Sequence, residues 1–306
     1  MNLAVSVKSA ATITALVALA LHSASAQQLG YKLLGSAGID AGVQPPAGLT
    51  VIDQTLHYGA HELRDRNGDV VPIDGLNISA TGSAIGVSYT YKATRTPYLS
   101  FAVGAPVASI HVSSDDPAAS LNGFGFADAF VEPIKAGWRE RRFDVVTGYA
   151  VYAPTGHFEP RSGAGPGSGY WTHQLSVGGA VYADSTRGGR ASALVSYQLN
   201  SRKRGIDIRR GDMLQVQGGA GTTVAKVFTA GVAGYALWQV TPDRGADIPP
   251  VLRGEHSRVF GAGPEFGVTI PSWRARVTLR IERDFGVESR PKGQVIALGL
   301  FWRPLG

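Results

Sequence analysis

The stretch Arg274-Ala275-Arg276-Val277-Thr278-Leu279-Arg280-Ile281-Glu282-Arg283-Asp284 decides the fold. Ala275, Val277, Leu279 and Ile281 fall on one parity, and Arg274, Arg276, Thr278, Arg280 and Glu282 fall on the other. Period-2 alternation describes a strand with one face in an apolar medium and the other in a polar one. A lipid-facing arginine at mid-membrane costs roughly 2–4 kcal/mol, so a row of three on one parity must turn towards a polar lumen. The segment therefore reads as one stave of a transmembrane β-barrel.

The pattern recurs along the chain. Ala191, Ala193, Val195, Tyr197 and Leu199 oppose Ser192, Ser196, Gln198 and Asn200. Leu214 and Val216 oppose Gln215 and Gln217. Twelve strands are expected, over residues 49–61, 75–92, 97–113, 125–137, 141–153, 170–184, 190–200, 211–222, 226–240, 256–270, 273–286 and 293–303. Most exceed the 9–11 residues that cross a bilayer at a tilt. Connections after odd strands are long (62–74, 114–124, 154–169, 201–210, 241–255 and 287–292), whereas those after even strands are short (93–96, 138–140, 185–189, 223–225 and 271–272). Outer-membrane barrels have long extracellular loops and short periplasmic turns, and an even strand number puts both termini in the periplasm. In the second strand the apolar parity switches from Leu76/Ile78/Ala80 to Val87/Tyr89/Tyr91, which predicts a bulge near Gly82–Gly86. Glu132-Pro133 predicts a bend in the fourth strand, since proline removes a ladder donor. Tyr89, Tyr91, Tyr98, Trp138, Trp238, Trp273 and Trp302 fall near strand ends, as interfacial girdles require.

Residues 1–26 read as a secretory signal: Lys8, an apolar run from Ala10 to Leu21, then Ala24-Ser25-Ala26 before a mature start at Gln27. Residues 27–47 form a periplasmic lead-in or a lumen plug, and residues 48–306 the barrel. No later run of about 18 apolar residues supplies a spanning helix. The chain has no cysteine, which excludes disulfides, thiolate metal sites and lipid acylation of a cysteine. Glycine makes up 40 of 306 residues, about 13%, against a usual share of about 7%. The net charge of +6 falls to +5 without Lys8. In an exported chain without a nucleic-acid-binding motif, this charge points to lipopolysaccharide phosphates rather than nucleic acid.

Several patches, taken in order, resemble the family described as putative MetA-pathway of phenol degradation. They are Pro45-Pro46-Ala47-Gly48-Leu49, Gly123-Phe124-Gly125-Phe126-Ala127-Asp128 followed by Glu132-Pro133, Tyr152-Ala153-Pro154-Thr155-Gly156, Gly169-Tyr170-Trp171-Thr172, and Ser196-Tyr197, Asn200 and Gly211-Asp212. The basic pair Arg209-Arg210 stands where the family pattern has an aromatic, and Arg303-Pro304-Leu305-Gly306 displaces the aromatic C-terminus. The resemblance implies an outer-membrane barrel associated with catabolism of aromatic and other hydrophobic compounds, with FadL-like transporters as functional relatives. Its expected role is passive uptake of small hydrophobic or aromatic solutes, after insertion by the barrel-assembly machinery. A general or weakly anion-preferring porin is the first alternative, and a non-transporting structural or adhesive barrel the second.

Candidate lumen residues are Arg274, Arg276, Arg280 and Glu282, with Glu265 as a cross-strand partner and Asp128, Glu132, Gln215 and Gln217 on other walls. They form either a structural salt-bridge lattice or a polar filter. Arg202, Lys203, Arg204, Arg209 and Arg210 in the fourth long loop are candidates for lipopolysaccharide contact. The sequence favours no enzyme and no cofactor. His256-Ser257 are adjacent on a strand and point to opposite faces, so they make no nucleophile–base pair. His57 and His61 would lie about 13 Å apart on a strand, too far to share a metal. Gly163–Gly169 lacks the Lys-Ser/Thr of a phosphate loop.

Overall fold

In hydrocarbon every backbone donor needs a partner within the protein, so alternating strands are stable there only when the sheet leaves no edge. The computed structural model describes residues 37–92, 97–116, 120–160, 165–250 and 253–304; the expected signal and residues 27–36 lie outside them. Twelve staves close into one antiparallel barrel: β1 (Gly48–Arg64), β3 (Asn77–Lys92), β4 (Tyr98–Ser113), β6 (Phe130–Arg139), β7 (Phe143–Tyr152), β8 (Thr172–Tyr182), β9 (Gly189–Asn200), β10 (Met213–Val224), β11 (Phe228–Gln239), β12 (Arg258–Ile270), β13 (Ala275–Glu288) and β14 (Arg290–Trp302). Two short accessory strands, β2 (Val70–Val71) and β5 (Leu121–Phe126), pair with β1 and β4. Closure runs from Val51↔Trp302 to Arg64↔Arg290 between β1 and β14. The start of β1 and the end of β14 lie at the short-turn rim, where the Arg303 N–H donates to Arg274 O. That rim is the periplasmic one.

Four details differ from the sequence-based expectation. The fourth stave is two strands, with β5 against the outer half of β4 and β6 against its inner half. The break falls at residues 127–129, whereas the register shift of β6 on β7 between Val131 and Ile134 is the bend expected at Glu132-Pro133. The sixth long loop is absent: β13 and β14 are joined by Ser289 alone, which adopts φ 51. Arg274 is not on the strand but closes the turn after Pro271–Trp273, with φ 50 and an exposed side chain.

The fourth difference concerns β3, which has no bulge. It pairs continuously with β1 from Gly48↔Thr90 to Ala60↔Ile78, and with β4 from Asn77↔Ser113 to Lys92↔Tyr98. Ile78 and Ala80 are buried inward, while Ile85, Val87, Tyr89 and Tyr91 are exposed outward. The apolar parity switches because the content of the lumen changes, not because the chain turns over. In the outer half, inward Leu56, Tyr58, Ala60, Ile78, Ile110, Val112, Tyr235, Leu237, Val259, Val295 and Ala297 pack into one buried apolar cluster.

Candidate functional site

Inward residues alternate along each stave, so strand pairing fixes what faces what across the lumen. In the outer halves of β8, β9 and β10 they are polar: Thr172, Gln174, Ser176, Ser196, Gln198, Asn200, Gln215 and Gln217 are all buried. Amides and hydroxyls cross-link this wall. Gln198 Nε2 donates to Gln174 Oε1 at 2.9 Å, Thr172 Oγ1 to Asn200 Oδ1 at 2.6 Å, and Asn200 Nδ2 to Gly211 O at 2.8 Å. The outer lumen therefore has two unlike sides, an amide wall on β8–β10 and the apolar cluster that runs from β11 through β14 to β1, β3 and β4.

Charged groups join these sides. Glu265 on β12 is opposite Arg280 on β13, with Oε2 and Nη1 3.6 Å apart and both side chains buried. Glu282 is fully buried one inward step further out. Asp284, the next inward residue, accepts from Tyr58 OH at 3.1 Å, from Gly293 N at 2.9 Å and from Tyr235 OH. One carboxylate thus ties β1, β11, β13 and β14 together.

Residues 37–46 lie against the inner wall at the periplasmic half. Asp40 bridges Arg190 of β9, 2.6 Å from Nε, and Arg276 of β13. Ile39 N donates to Glu265 Oε2 at 2.8 Å, Ala37 N to Gln217 Oε1 at 3.1 Å, and Gln44 N to Asp144 Oδ2 at 3.1 Å. Glycines permit this approach: a Cβ on Gly42 would lie 2.1 Å from Gly179 O, and one on Gly219 would lie 2.9 Å from the Ile39 side chain. Beside the segment, reaching down to the short turns, is a cavity of ≈ 1040 Å³, lined among others by Gln54, Phe130, Glu132, Tyr152, Gln174, Arg276, Arg280 and Phe301. Arg274 stands at its border.

Asp128 is placed elsewhere. It is buried in the break between β5 and β6, where it accepts from Gly156 N and Ser168 N at 3.0 Å each and from Ser168 Oγ. It anchors the third long loop rather than facing a solute. The basic loop is also largely engaged. Arg202 pairs with Asp207 at 2.9 Å, Arg209 with Asp212 at 3.6 Å, and Arg210 with Asp243. Lys203 turns inward over the rings of Phe158 (5.4 Å) and Tyr170 (5.9 Å). Arg204 is exposed, and its N–H donates to Gly169 O.

Burial, with the charge of Arg210, pushes the Lys203 ammonium down to about 7, while the two ring faces favour its charged form. A lysine pKa lowered by folding means that the folded loop binds fewer protons than the unfolded one between about 7 and the ordinary 10.5. Loop stability therefore rises with pH across that window, and the full cost of the buried charge is carried below it. Proteolytic nicking of loops 153–171 and 201–212 is expected to be faster at pH 6 than at pH 8. Lys203→Met should remove the difference; a difference that survives it would assign the effect to another group.

Asp40 and Asp284 carry much of this architecture, and strand pattern alone did not single them out. Asp40 is the one carboxylate in residues 27–47, a signal that was present in the sequence. Among the described residues no group of acidic and histidine side chains has metal-binding geometry, and His256 is held by Gln239 O at 2.8 Å.

Among solved structures, the COG4313 outer membrane channel from Pseudomonas putida F1 is similar at a TM-score of 0.75 and 13% identity, covering 89% of this chain and 99% of that one. The CymD monoaromatic hydrocarbon channel gives 0.44 and 9%, with 92% and 97% covered. A Pseudomonas aeruginosa FadL homologue gives 0.42 and 11%, with 92% and 98% covered. The first of these likenesses is one of fold. No curated protein sequence matches. The family pattern, in contrast, matches residues 60–299, from the outer end of β1 almost to the end of β14. This chain is an outer-membrane β-barrel that belongs to the putative MetA-pathway of phenol degradation family.

Proposed function

We propose that the barrel is a passive channel for small hydrophobic or aromatic compounds, linked to their degradation. The two-sided lumen is the observation that carries this reading. A phenol-like solute has an apolar ring and a polar edge, which suit a path between an apolar cluster and an amide wall. The family description points the same way. Residues 37–46 act as a plug that narrows the path from the periplasmic side. The Arg276/Arg280/Glu265/Glu282 wall, with Glu132, Gln215 and Gln217, sets its polarity. Contact with lipopolysaccharide falls to Arg202 and Arg204, whose side chains remain exposed at the outer rim.

One observation favours the second reading, an anion-preferring porin. The cavity is bordered by Lys135, Arg139, Arg187, Arg190, Arg274, Arg276, Arg280 and Arg303 against Asp40, Glu132 and Glu265. Permeation through refolded protein in liposomes separates the two. Protein-dependent passage of phenol with a small sugar excluded, after subtracting leak through bare lipid, is the expected result. Free passage of sugar and salt would replace the aromatic channel by the porin.

A further inference from the structure

The outer wall has one side unlike the rest. On β11–β14 the outward residues are those that lipid requires: Val232, Phe266, Leu279, Leu298 and Leu300 are all exposed apolar side chains. On β1 the outward sequence is Val51, Asp53, Thr55, His57, Gly59. Register fixes the depth. Val51 pairs with Trp302 of the periplasmic girdle, Asp53 with Leu300, Thr55 with Leu298 and His57 with Ile296. Two residues along a strand tilted by about 40° rise roughly 5 Å, so Asp53 lies about 5 Å and His57 about 15 Å above that girdle. Both are inside the apolar band, which is about 25 Å tall.

The lane widens over the neighbouring strands. Thr55 pairs with Ser83 and His57 with Thr81, and Thr81 in turn pairs with Ser109 of β4. The side chains bond across strands: Ser83 Oγ donates to Asp53 Oδ1 at 3.0 Å, and His57 Nδ1 meets Thr81 Oγ1 at 2.8 Å. The surface is also flat. A Cβ on Gly59 would meet nothing nearer than His57 Nε2 at 3.7 Å.

We infer that this lane is the interface between two copies of this chain, related by a two-fold axis along the membrane normal. Acyl chains offer no hydrogen bonds to a carboxylate, imidazoles and hydroxyls, so a lipid-facing lane of them is costly. Small residues let membrane-embedded surfaces approach closely, and polar side chains then bridge them. The two-fold brings equal depths together. Hydroxyl and imidazole groups both donate and accept, so this patch is complementary to itself. The lane contains no lysine or arginine, which a lipid phosphate would need. Because the strands tilt, two copies of β1 crossing near His57 carry Asp53 away from its own copy.

The chain has no cysteine, so a single introduced thiol reports the contact cleanly. Full-length Thr81→Cys would be refolded into phospholipid vesicles and mildly oxidised, with Val195→Cys on the opposite wall as control. Ser109→Cys provides a second lane position should Thr81→Cys not fold, as judged by heat-modifiable gel migration. A disulfide needs Cα atoms within about 7 Å, so the lane variant is expected to give a covalent dimer and the control none. Adding His57→Leu to the lane variant should lower the dimer yield. Folded lane variants that stay monomeric, or equal dimer from both walls, would overturn the proposal. So would a cross-link in native membranes to a protein of different mass.

Discussion

Asp284→Ala is expected to cause the largest loss of stability of any single change in the barrel. The carboxylate is buried and receives Tyr58 OH, Tyr235 OH and Gly293 N. Alanine would leave two phenols and a backbone N–H without that acceptor, and each orphaned donor costs about 1–3 kcal/mol. Tyr58 retains Pro291 O at 3.1 Å, which offsets part of the loss. The donors sit on three staves, β1, β11 and β14, so the damage would spread around the outer lumen rather than remain on β13. Urea midpoints and the temperature of heat-modifiable migration should both fall. Tyr235→Phe, which removes one bond and leaves the apolar cluster filled, should cost a fraction as much. Equal stability of Asp284→Ala and the parent would mean that the apolar cluster alone holds the outer half together.

Asp284 also marks where the sequence stopped being legible. The β13 row was readable because lipid on one side and charge on the other impose a strict period of two. So were the stave number and the alternation of loops and turns. The error at Ile78 and Ala80 came from assuming a polar lumen throughout. Once the outer lumen is apolar, inward and outward residues of β3 look alike, and only the register with β1 and β4 distinguishes them. Residues 287–288 and 290–292 read as loop in the sequence for a related reason: the strand signal fades at the rim, where polarity no longer alternates. The bend at Pro133 was legible, but the break at residues 127–129 was not, because its anchoring by Asp128 depends on donors at Gly156 and Ser168, distant in sequence. The arginine row was visible, yet its partner Asp40 lies 236 residues before Arg276, and no local pattern connects them. Strand spacing separated His57 from His61 without setting its depth, and only the pairing with Ile296 places it within the apolar band.

Asp40→Ala should open the periplasmic half of the lumen. Asp40 is the joint counterion of Arg190 and Arg276, and its removal leaves two guanidinium groups facing residues 37–46 without that partner. Breaking a buried pair by deleting one member costs about 3–5 kcal/mol, and Asp40 is about one-third exposed, so water screens part of that. The remaining bonds from Ala37, Ile39 and Gln44 join backbone N–H groups to side chains and are each worth less. The segment should therefore spend more time off the wall, and single-channel conductance should rise. The reversal potential in a salt gradient should also shift towards anions, because one negative charge has left a cavity already rich in arginine. Gly42→Val separates displacement from charge. Its side chain would collide with the backbone of Gly179 and dislodge the same segment without altering the charge. Both variants should raise conductance, but Asp40→Ala should shift anion preference more. If conductance stays at the parent value in both, residues 37–46 do not limit the path, and the narrowing lies in the outer apolar cluster.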